Sequence, residues 1–314
     1  MQESLIEFRS DTFTKPTPEM LQDMIKAEVG DSVYEEDPTV IKLEQIVSNL
    51  FGKEAALFMP SGTMANLAAV MTHCNERGCD IIVGDNSHFN LWEQGNVSQI
   101  GGIYCKQIRN NEDGTFDLEK FESMISDHTD CHCSTTKAVC IENTHNQCGG
   151  RVLPISFIEN LRQICDRYDV RIHLDGSRVM NASIASGKSV KEICLHCDSI
   201  NFCFSKGLGA PVGSVLIGSK QFIERAKRVR KALGGAMRQV GLLAAACLHA
   251  LERAQQNLTK DHQNAKRLAD GISTGSAVQL DNKVETNIVH LKLHPSIKMA
   301  DFIQRLAMVI KKFD

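Results

Sequence analysis

Six short apolar segments between residues 55 and 218 restrict the possible folds of this chain more than any other feature of its sequence. Most of them are separated by helical patterns, at 62–74, 154–168 and 220–232. Strands that are apolar on both faces and alternate with helices predict an α/β fold with a mainly parallel sheet flanked by helices. The predicted strands are AALFM (55–59), IIVG (81–84), KAVCIE (137–142), RIHLD (171–175), INFCF (200–204) and SVLIG (214–218).

The parts of the chain around this alternation complete the predicted organisation. Helices are expected to begin after Thr17 and after Asp37, because each residue can cap a helix whose first position is the proline that follows. A long helix from about 238 to 270 then leads into a smaller α+β portion. We expect an N-terminal segment (1–35), a large α/β domain (36–250) and a small C-terminal domain (251–314).

Composition argues against several classes of protein. A formal net charge of −3 and the lack of a long basic run argue against nucleic-acid and membrane partners. The N-terminal residues do not follow the charged-then-apolar pattern of a signal peptide, and the most apolar later stretch is too short to cross a bilayer. The 12 cysteines are therefore interpreted as reduced thiols of a cytoplasmic protein.

Unusual polar residues follow three of the predicted strands. Ser61-Gly62-Thr63 opens a helix, whose N–H groups and hydroxyls suit a phosphate. Asp175 ends RIHLD, and Lys206 follows INFCF, just before a glycine-rich stretch. Ligands of such sheets bind at the carboxyl ends of the strands, so we expect these groups to converge. A pyridoxal phosphate enzyme needs this set: a lysine to hold the aldehyde, a carboxylate to keep the pyridine nitrogen protonated, and a phosphate site.

Each of these features has an ordinary structural interpretation when taken alone. Ser-Gly-Thr before a helix is usually only an N-cap, Asp-Gly is usually a turn, and a lysine after a strand usually extends its ammonium into water. Their order along the chain and their shared position at strand ends favour the functional interpretation.

Longer motifs resemble those of the threonine aldolases, which are fold-type I pyridoxal phosphate enzymes. The resemblance runs from Phe8 to about His290 and is nearest to the low-specificity L-threonine aldolases. It implies cleavage of L-threonine and L-allo-threonine to glycine and acetaldehyde by a homodimer or homotetramer. The motifs are FRSDTFTKPTPEM, VGDSVYEEDPTV, PSGTMANL, ENTHNQCGGRVLP, HLDGSR, CFSKGLGAPVGS and RKALGGAMRQVG.

The resemblance also implies which residues contact the cofactor. His88 would stack on its ring, and Lys231 and Arg238 would reach the cofactor of a neighbouring subunit. The full set is Ser61, Gly62, Thr63, His88, Asp175, Arg178, Lys206, Lys231 and Arg238.

Four residues are implied to face the substrate. Arg178 and Ser10 would bind its carboxylate, Trp92 would lie near its side chain, and His132 would lie near its β-hydroxyl. The catalytic residues would be Lys206, His88, His132 and Asp175.

Two other kinds of site compete with this interpretation. Cys131 and Cys133, with Cys194 and Cys197, have spacings found in zinc sites, but the second pair lies in a helix end that runs into a strand, so we expect no metal. The glycine-rich stretch 207–213 contains a proline and precedes a strand, so it does not match a dinucleotide-binding motif.

Two alternative functions also stay open. A β-eliminating lyase or dehydratase would share the fold, and a catalytically impaired cofactor-binding subunit would keep the fold without turnover.

The sequence departs from the family pattern at three places. Ser177 and Ala236 replace the alanine and glycine of many relatives. Relatives also continue beyond the equivalent of Asp314, with another arginine for the substrate carboxylate. We therefore expect an incomplete small domain, normal cofactor binding and weak threonine cleavage.

Overall fold

A computed structural model describes residues 7–272 and 277–310 of the chain, and its centre is a seven-stranded sheet. The strands lie in the order β1-β7-β6-β5-β4-β2-β3. They are β1 (Ala55–Met59), β2 (Cys79–Gly84), β3 (Tyr104–Ile108), β4 (Thr135–Glu142), β5 (Arg171–Asp175), β6 (Ser199–Cys203) and β7 (Ser214–Gly218).

The sheet is mainly parallel, as predicted. Strand β7 runs antiparallel to both of its neighbours, β1 and β6, and the strands from β3 across to β6 pair in parallel. The ends of β1, β4, β5 and β6 therefore lie at one edge of the sheet, which we call the carboxyl edge. All six predicted strands are present, and β3 is an additional strand.

Helices cover the sheet and connect its strands. A short 3₁₀ turn (Asp11–Phe13) precedes them. They are α1 (Pro18–Lys26), α2 (Pro38–Phe51), α3 (Gly62–His73), α4 (His88–Leu91), α5 (Asn96–Gln99), α6 (Leu118–Met124), α7 (Ile155–Arg167), α8 (Val179–Ser186), α9 (Val190–Ile193), α10 (Lys220–Ala232), α11 (Gly241–Ile272) and α12 (Met299–Ile310).

The predicted helix starts are confirmed by their caps. The Thr17 hydroxyl accepts a hydrogen bond from the Met20 N–H at 3.2 Å, and Asp37 accepts from two N–H groups of α2. Gly52 ends α2 in the left-handed conformation, with φ of 63°, which glycine adopts without strain.

The core lies between the sheet and its helices. Strands β2, β6 and β7 are buried along their whole length, and Val47, Phe51 and Phe202 lie in one continuous apolar cluster. Helix α11 packs against α1, α2 and α8. It runs without a break through residue 250, so the division at that residue stays a prediction.

The part after α11 is α+β in character, as expected. Strands β8 (Val278–Leu280) and β9 (Leu291–Leu293) form an antiparallel pair, and α12 follows them. Within 7–272 and 277–310, no helix combines the length and apolar character needed to cross a membrane.

Candidate active site

Asp175 is a buried carboxylate at the carboxyl edge of the sheet. It ends β5, is 2% exposed, and accepts hydrogen bonds from the Ser177 N–H at 3.1 Å and from Nδ2 of Asn66 at 2.9 Å. Burial alone would raise the pKa of this carboxyl. The Lys206 ammonium, His88 and these donors outweigh burial and hold the pKa below its usual range. Asp175 is therefore a buried anion at neutral pH.

His88 lies beside Asp175 and is held by two glutamates. Its backbone N–H donates to Glu142 at the end of β4 (2.8 Å), and its Nδ1 lies 2.9 Å from Oε1 of Glu93. One ring nitrogen of His88 and one carboxylate oxygen from each of Glu93 and Asp175 lie within 4.8 Å of one another. Burial lowers the pKa of His88, but Glu93 and Asp175 outweigh burial, so the imidazole titrates above its ordinary value.

Glu93 is 2% exposed and shares the polar cluster at this edge. Nδ2 of Asn66 donates to its Oε1 at 2.7 Å, and Nδ2 of Asn96 donates to its Oε2 at 3.2 Å. Burial and the Asp175 charge raise the pKa of Glu93, against the opposing effect of His88. Two carboxylates and an imidazole therefore share one buried network.

Lys206 follows β6 and is partly buried at the same edge. Its ammonium lowers the pKa of both Asp175 and Asp11, which places it in the field of both carboxylates. The Thr14 hydroxyl donates to the Lys206 carbonyl at 2.9 Å, which ties the lysine loop to the N-terminal segment. Lys206 therefore lies at the same edge as Asp175, near enough for its charge to act on both carboxylates.

Arg178 forms a two-pronged ion pair with Asp11. Its Nε donates to Oδ2 at 2.9 Å and its Nη2 to Oδ1 at 2.7 Å, with both side chains at most 10% exposed. Nδ2 of Asn287 also donates to Asp11 at 3.1 Å. Ser10 is the neighbour of Asp11 and caps the short 3₁₀ turn. The structure thus brings the two predicted carboxylate-binding residues to neighbouring positions.

The start of α3 lies next to the turn after β5. Ser61 caps the helix and is exposed, as is Thr63. A Cβ added at Gly62 would lie 3.2 Å from Nδ2 of Asn201 and 3.6 Å from Oγ of Ser177. The first N–H groups of a helix have no partner within it, so this cradle of hydroxyls and N–H groups can bind an anion.

The residues at the carboxyl edge fit pyridoxal phosphate. A phosphate suits the open helix start with its hydroxyls, a protonated pyridine nitrogen suits the ionised Asp175, and an aldehyde suits Lys206. A side chain at Gly62 would crowd Asn201 at the start of α3.

The structure does not bring His132 to this site within one chain. His132 lies in the loop before β4, at the amino end of the strand, whereas Glu142 and His88 lie at its carboxyl end. Its imidazole is 88% exposed and contacts Asp130 at 2.8 Å. The predicted strand 137–142 begins after His132, so strand direction already places His132 at the amino end, and only the resemblance had assigned it to the site.

Three other predicted residues are exposed in the single chain. Trp92 ends α4 and is 60% exposed. Lys231 lies in the last turn of α10, and Arg238 forms an ion pair with Asp31 at 2.8 Å. Ala236, in the same segment, is not among the described residues with positive φ, so the glycine of relatives is not needed there for backbone conformation.

The cysteines considered for zinc do not gather into one group. Cys194 and Cys197 are buried in the apolar core, whereas Cys131 and Cys133 are exposed in the loop before β4.

The sequence interpretation missed four polar residues of the site. Asn66 and Asp11 lie inside motifs that were recognised, yet neither was assigned a role. Glu93 lies five positions after His88, and Glu142 is the last residue of β4. Only their burial in the structure identifies these two glutamates as part of the site. A buried carboxylate needs a partner, but sequence alone does not show which carboxylates are buried.

Comparisons with known proteins agree with this geometry. The sequence profile of the β-eliminating lyases matches residues 7–294. The chain is 46% identical to a probable low-specificity L-threonine aldolase of Arabidopsis thaliana, over 92% of this chain and 82% of the relative. It is 42% identical to the low specificity L-threonine aldolase of Escherichia coli K12, over 92% of this chain and 85% of that relative. The chain superposes on a solved structure from Exiguobacterium with a TM-score of 0.82, at 21% identity, over 96% of this chain and 85% of the other. That structure is described as a putative aromatic amino acid beta-eliminating lyase/threonine aldolase.

Proposed function

Because the chain belongs to the β-eliminating lyase family, and within it to the threonine aldolases, we propose that it cleaves L-threonine and L-allo-threonine to glycine and acetaldehyde. It is a carbon–carbon lyase, and the proposed cofactor is pyridoxal phosphate. The observation that carries the proposal is the shared edge: the ionised Asp175, Lys206 and the open start of α3 lie at the ends of β5, β6 and β1.

The cofactor, when bound, supplies an electron sink for the bond that breaks at the substrate Cα. Asp175 would hold the proton at the pyridine nitrogen, since its carboxylate is buried and ionised. Lys206 would hold the cofactor aldehyde and release it to the substrate amine. Ser61, Gly62 and Thr63 would bind the phosphate.

Arg178 would set which bond breaks by orienting the substrate carboxylate. Two of its donors are engaged by Asp11, and a guanidinium has five, so donors remain for a carboxylate. Fixing the carboxylate turns the Cα–Cβ bond to the orientation in which it is weakened. Ser10, beside Asp11, would add a second contact.

A base must take the β-hydroxyl proton before the aldehyde leaves. His88 is the imidazole placed beside Asp175, and its bond to Glu93 orients the ring. We assign it both ring stacking and this proton transfer. His132 would contribute to this site only from a second subunit. Trp92 would lie beside the substrate side chain.

We also propose an oligomeric state and a cellular compartment for the enzyme. Lys231 and Arg238 are exposed in one chain, which supports an assembly in which they contact a neighbouring subunit's cofactor. We propose a homodimer or homotetramer in the cytoplasm, where 12 free cysteines would stay reduced.

Product analysis tests the function. The purified protein with pyridoxal phosphate and L-threonine is expected to yield glycine and acetaldehyde in equal amounts. The β-eliminating alternative would instead yield ammonia and a keto acid, and that result would overturn the aldolase proposal. Binding of the cofactor without either product set would favour a catalytically impaired subunit.

A further inference from the structure

A chain of hydrogen bonds, buried except at its last residue, His73, leads from the candidate active site to the opposite edge of the sheet. Oδ1 of Asn66 lies 3.1 Å from Nε2 of His173, and Nδ1 of His173 lies 2.8 Å from the Ser199 hydroxyl. The Ser199 hydroxyl lies 2.7 Å from Nε2 of His73. At its other end, Nδ2 of Asn66 donates to the carboxylates of Asp175 and Glu93.

The chain forms where α3 covers β5 and β6. His173 and Asp175 are two residues apart on β5, so their side chains point to the same face of the sheet. Ser199 pairs with His173 across the two strands. Asn66 and His73 are seven residues apart on α3, which places both on the helix face that covers these strands.

The two carboxylates determine the direction of every bond in this chain. Carboxylates only accept hydrogen bonds, so the NH₂ of Asn66 must point to them and its oxygen must point to His173. Nε2 of His173 must then carry the proton, and its bare Nδ1 must accept from the Ser199 hydroxyl. Ser199 in turn accepts from a protonated Nε2 of His73.

Both histidines are suited to this neutral, directed state. His173 is 0% exposed, and burial lowers its pKa to about 4. Burial, with a smaller effect of His173, lowers the pKa of His73 to about 3. A cationic His173 would have protons on both ring nitrogens and could not accept from Ser199.

We propose that Asn66 is a positioning residue that holds the carboxylates of Asp175 and Glu93, and that His173, supported by Ser199 and His73, holds the Asn66 amide in place through a hydrogen bond to its oxygen. Without His173, the buried Asn66 oxygen would lose its donor, and the amide would be held from one side only. Asp175 would then lose its fixed orientation at the cofactor nitrogen. This inference rests on the proposed function, because it is the cofactor that Asp175 is proposed to bind.

The first test reads the histidine tautomers in the cofactor-free protein. Nitrogen NMR of the ¹⁵N-histidine-labelled protein should show His173 and His73 as neutral Nε2–H tautomers from about pH 6 to pH 8, with assignments from single histidine variants. An Nδ1–H tautomer at His173 would reverse the direction of the chain and overturn the inference. This measurement does not depend on cofactor binding or activity.

The second test compares two variants at the same position. His173→Phe fills the volume but removes the donor to Asn66, whereas His173→Gln can place an NH₂ where Nε2–H lies. We expect pyridoxal phosphate, titrated by absorbance into the cofactor-free protein, to bind roughly 10- to 100-fold more weakly to His173→Phe. His173→Gln should recover most of that loss. His249→Phe removes another buried histidine, which pairs with Asp23 far along the chain, and serves as the matched control.

The outcomes separate a positioning role from a structural one. Equal losses of affinity in the Phe and Gln variants, or wild-type affinity in His173→Phe, would contradict the inference. If His173→Phe does not fold, Ser199→Ala against Ser199→Thr provides the same comparison one bond further along. A wild-type protein that fails to bind pyridoxal phosphate would overturn the proposed function, and the tautomers would still decide the direction of the chain.

Discussion

At the scale of single residues, the site places basic groups beside its buried carboxylates and so holds the pKa values of Asp175 and Asp11 below their usual range. The Lys206 ammonium faces Asp175 and Asp11, and Arg178 is bound to Asp11 through two hydrogen bonds. Buried charges are tolerated only when they are paired, so the removal of one partner leaves the other with its full desolvation cost. Single substitutions at these residues should therefore have large and specific effects.

Lys206→Ala tests the covalent role of the lysine. We expect the variant to lose the adduct that borohydride fixes between pyridoxal phosphate and the protein, because no amine remains to hold the aldehyde. Peptide mass spectrometry after reduction measures it. Lys220→Ala, on the exposed surface at the start of α10, is the control and should keep the adduct. An adduct at the active site in Lys206→Ala would show that another lysine has this role.

Arg178→Lys tests the orientation of the substrate. Lysine keeps the positive charge but cannot make the Nε and Nη2 pair to Asp11 and still face a carboxylate in a fixed geometry. We expect kcat/KM for L-threonine to fall by roughly 10- to 100-fold, since charge-assisted hydrogen bonds are lost. The affinity for pyridoxal phosphate should change less.

Arg228→Lys, on the exposed face of α10, is the matched control. Unchanged steady-state kinetics in Arg178→Lys would mean that another residue binds the substrate carboxylate.

At the scale of elements, the edge strand β1 is protected by two side chains. Strand β1 pairs with β7 on one side only. On its other side, Glu44 of α2 accepts from the Phe58 N–H at 2.7 Å, and Nη1 of Arg230 donates to the Phe58 carbonyl at 2.7 Å. These contacts occupy the N–H and carbonyl of Phe58, which would otherwise be open to pairing with another chain.

Glu44→Gln should change the pH dependence of stability. Burial raises the pKa of Glu44 to about 7, against smaller opposing effects of the Phe58 N–H and Arg230. A carboxyl with a raised folded-state pKa stabilises the protein below its unfolded pKa, and that stabilisation is lost as pH rises from about 4.5 to about 7. The amide of the variant is neutral at every pH and carries no cost of burying a charge. The free energy of unfolding of the variant should therefore exceed that of the wild type by on the order of 1–3 kcal/mol at pH 8 and by little at pH 5.

Urea unfolding at pH 5 and pH 8 measures this difference. Glu252→Gln, an exposed position on α11, is the control and should show no such pH dependence. An equal effect of Glu44→Gln at both pH values would show that Glu44 is ionised in the folded protein across this range.

At the scale of the whole molecule, a single chain brings together only part of the predicted site residues. Lys231 and Arg238 are exposed, and large apolar side chains such as Trp92 (60% exposed) and Tyr34 (71% exposed) lie on the surface. Arg238 lies over the Tyr34 ring, 5.9 Å from its centroid. Exposed apolar and basic residues of this kind are typical of a surface that another subunit covers.

Complementation between two inactive variants tests a shared site. Lys206→Ala and Lys231→Ala should each have little activity alone. If each site combines Lys206 of one subunit with Lys231 of the other, a mixed dimer contains one wild-type site. Co-refolded equal amounts should then recover activity at about a quarter of the sites.

Light scattering should show at least a dimer for each variant. A strictly monomeric protein that binds pyridoxal phosphate tightly, or the absence of recovery in the mixture, would contradict a shared site.

Local sequence patterns were enough to predict most elements of the fold. The caps at Thr17 and Asp37 and the apolar runs of the central strands report local geometry, and the structure confirms them. Strand β3 was missed because it lies at the edge of the sheet and is buried only at its end, so its residues lack an apolar run.

The sequence by itself determined the mainly parallel sheet and the placement of Asp175, Lys206 and the α3 start at its carboxyl edge, because these follow from strand direction. Only the tertiary structure decided which groups are partners. Asp11 meets Arg178 across 167 positions, and Asn66 meets Asp175 across 109. Such pairs depend on the order and register of strands and on which helix face covers them, and neither is encoded within one local segment.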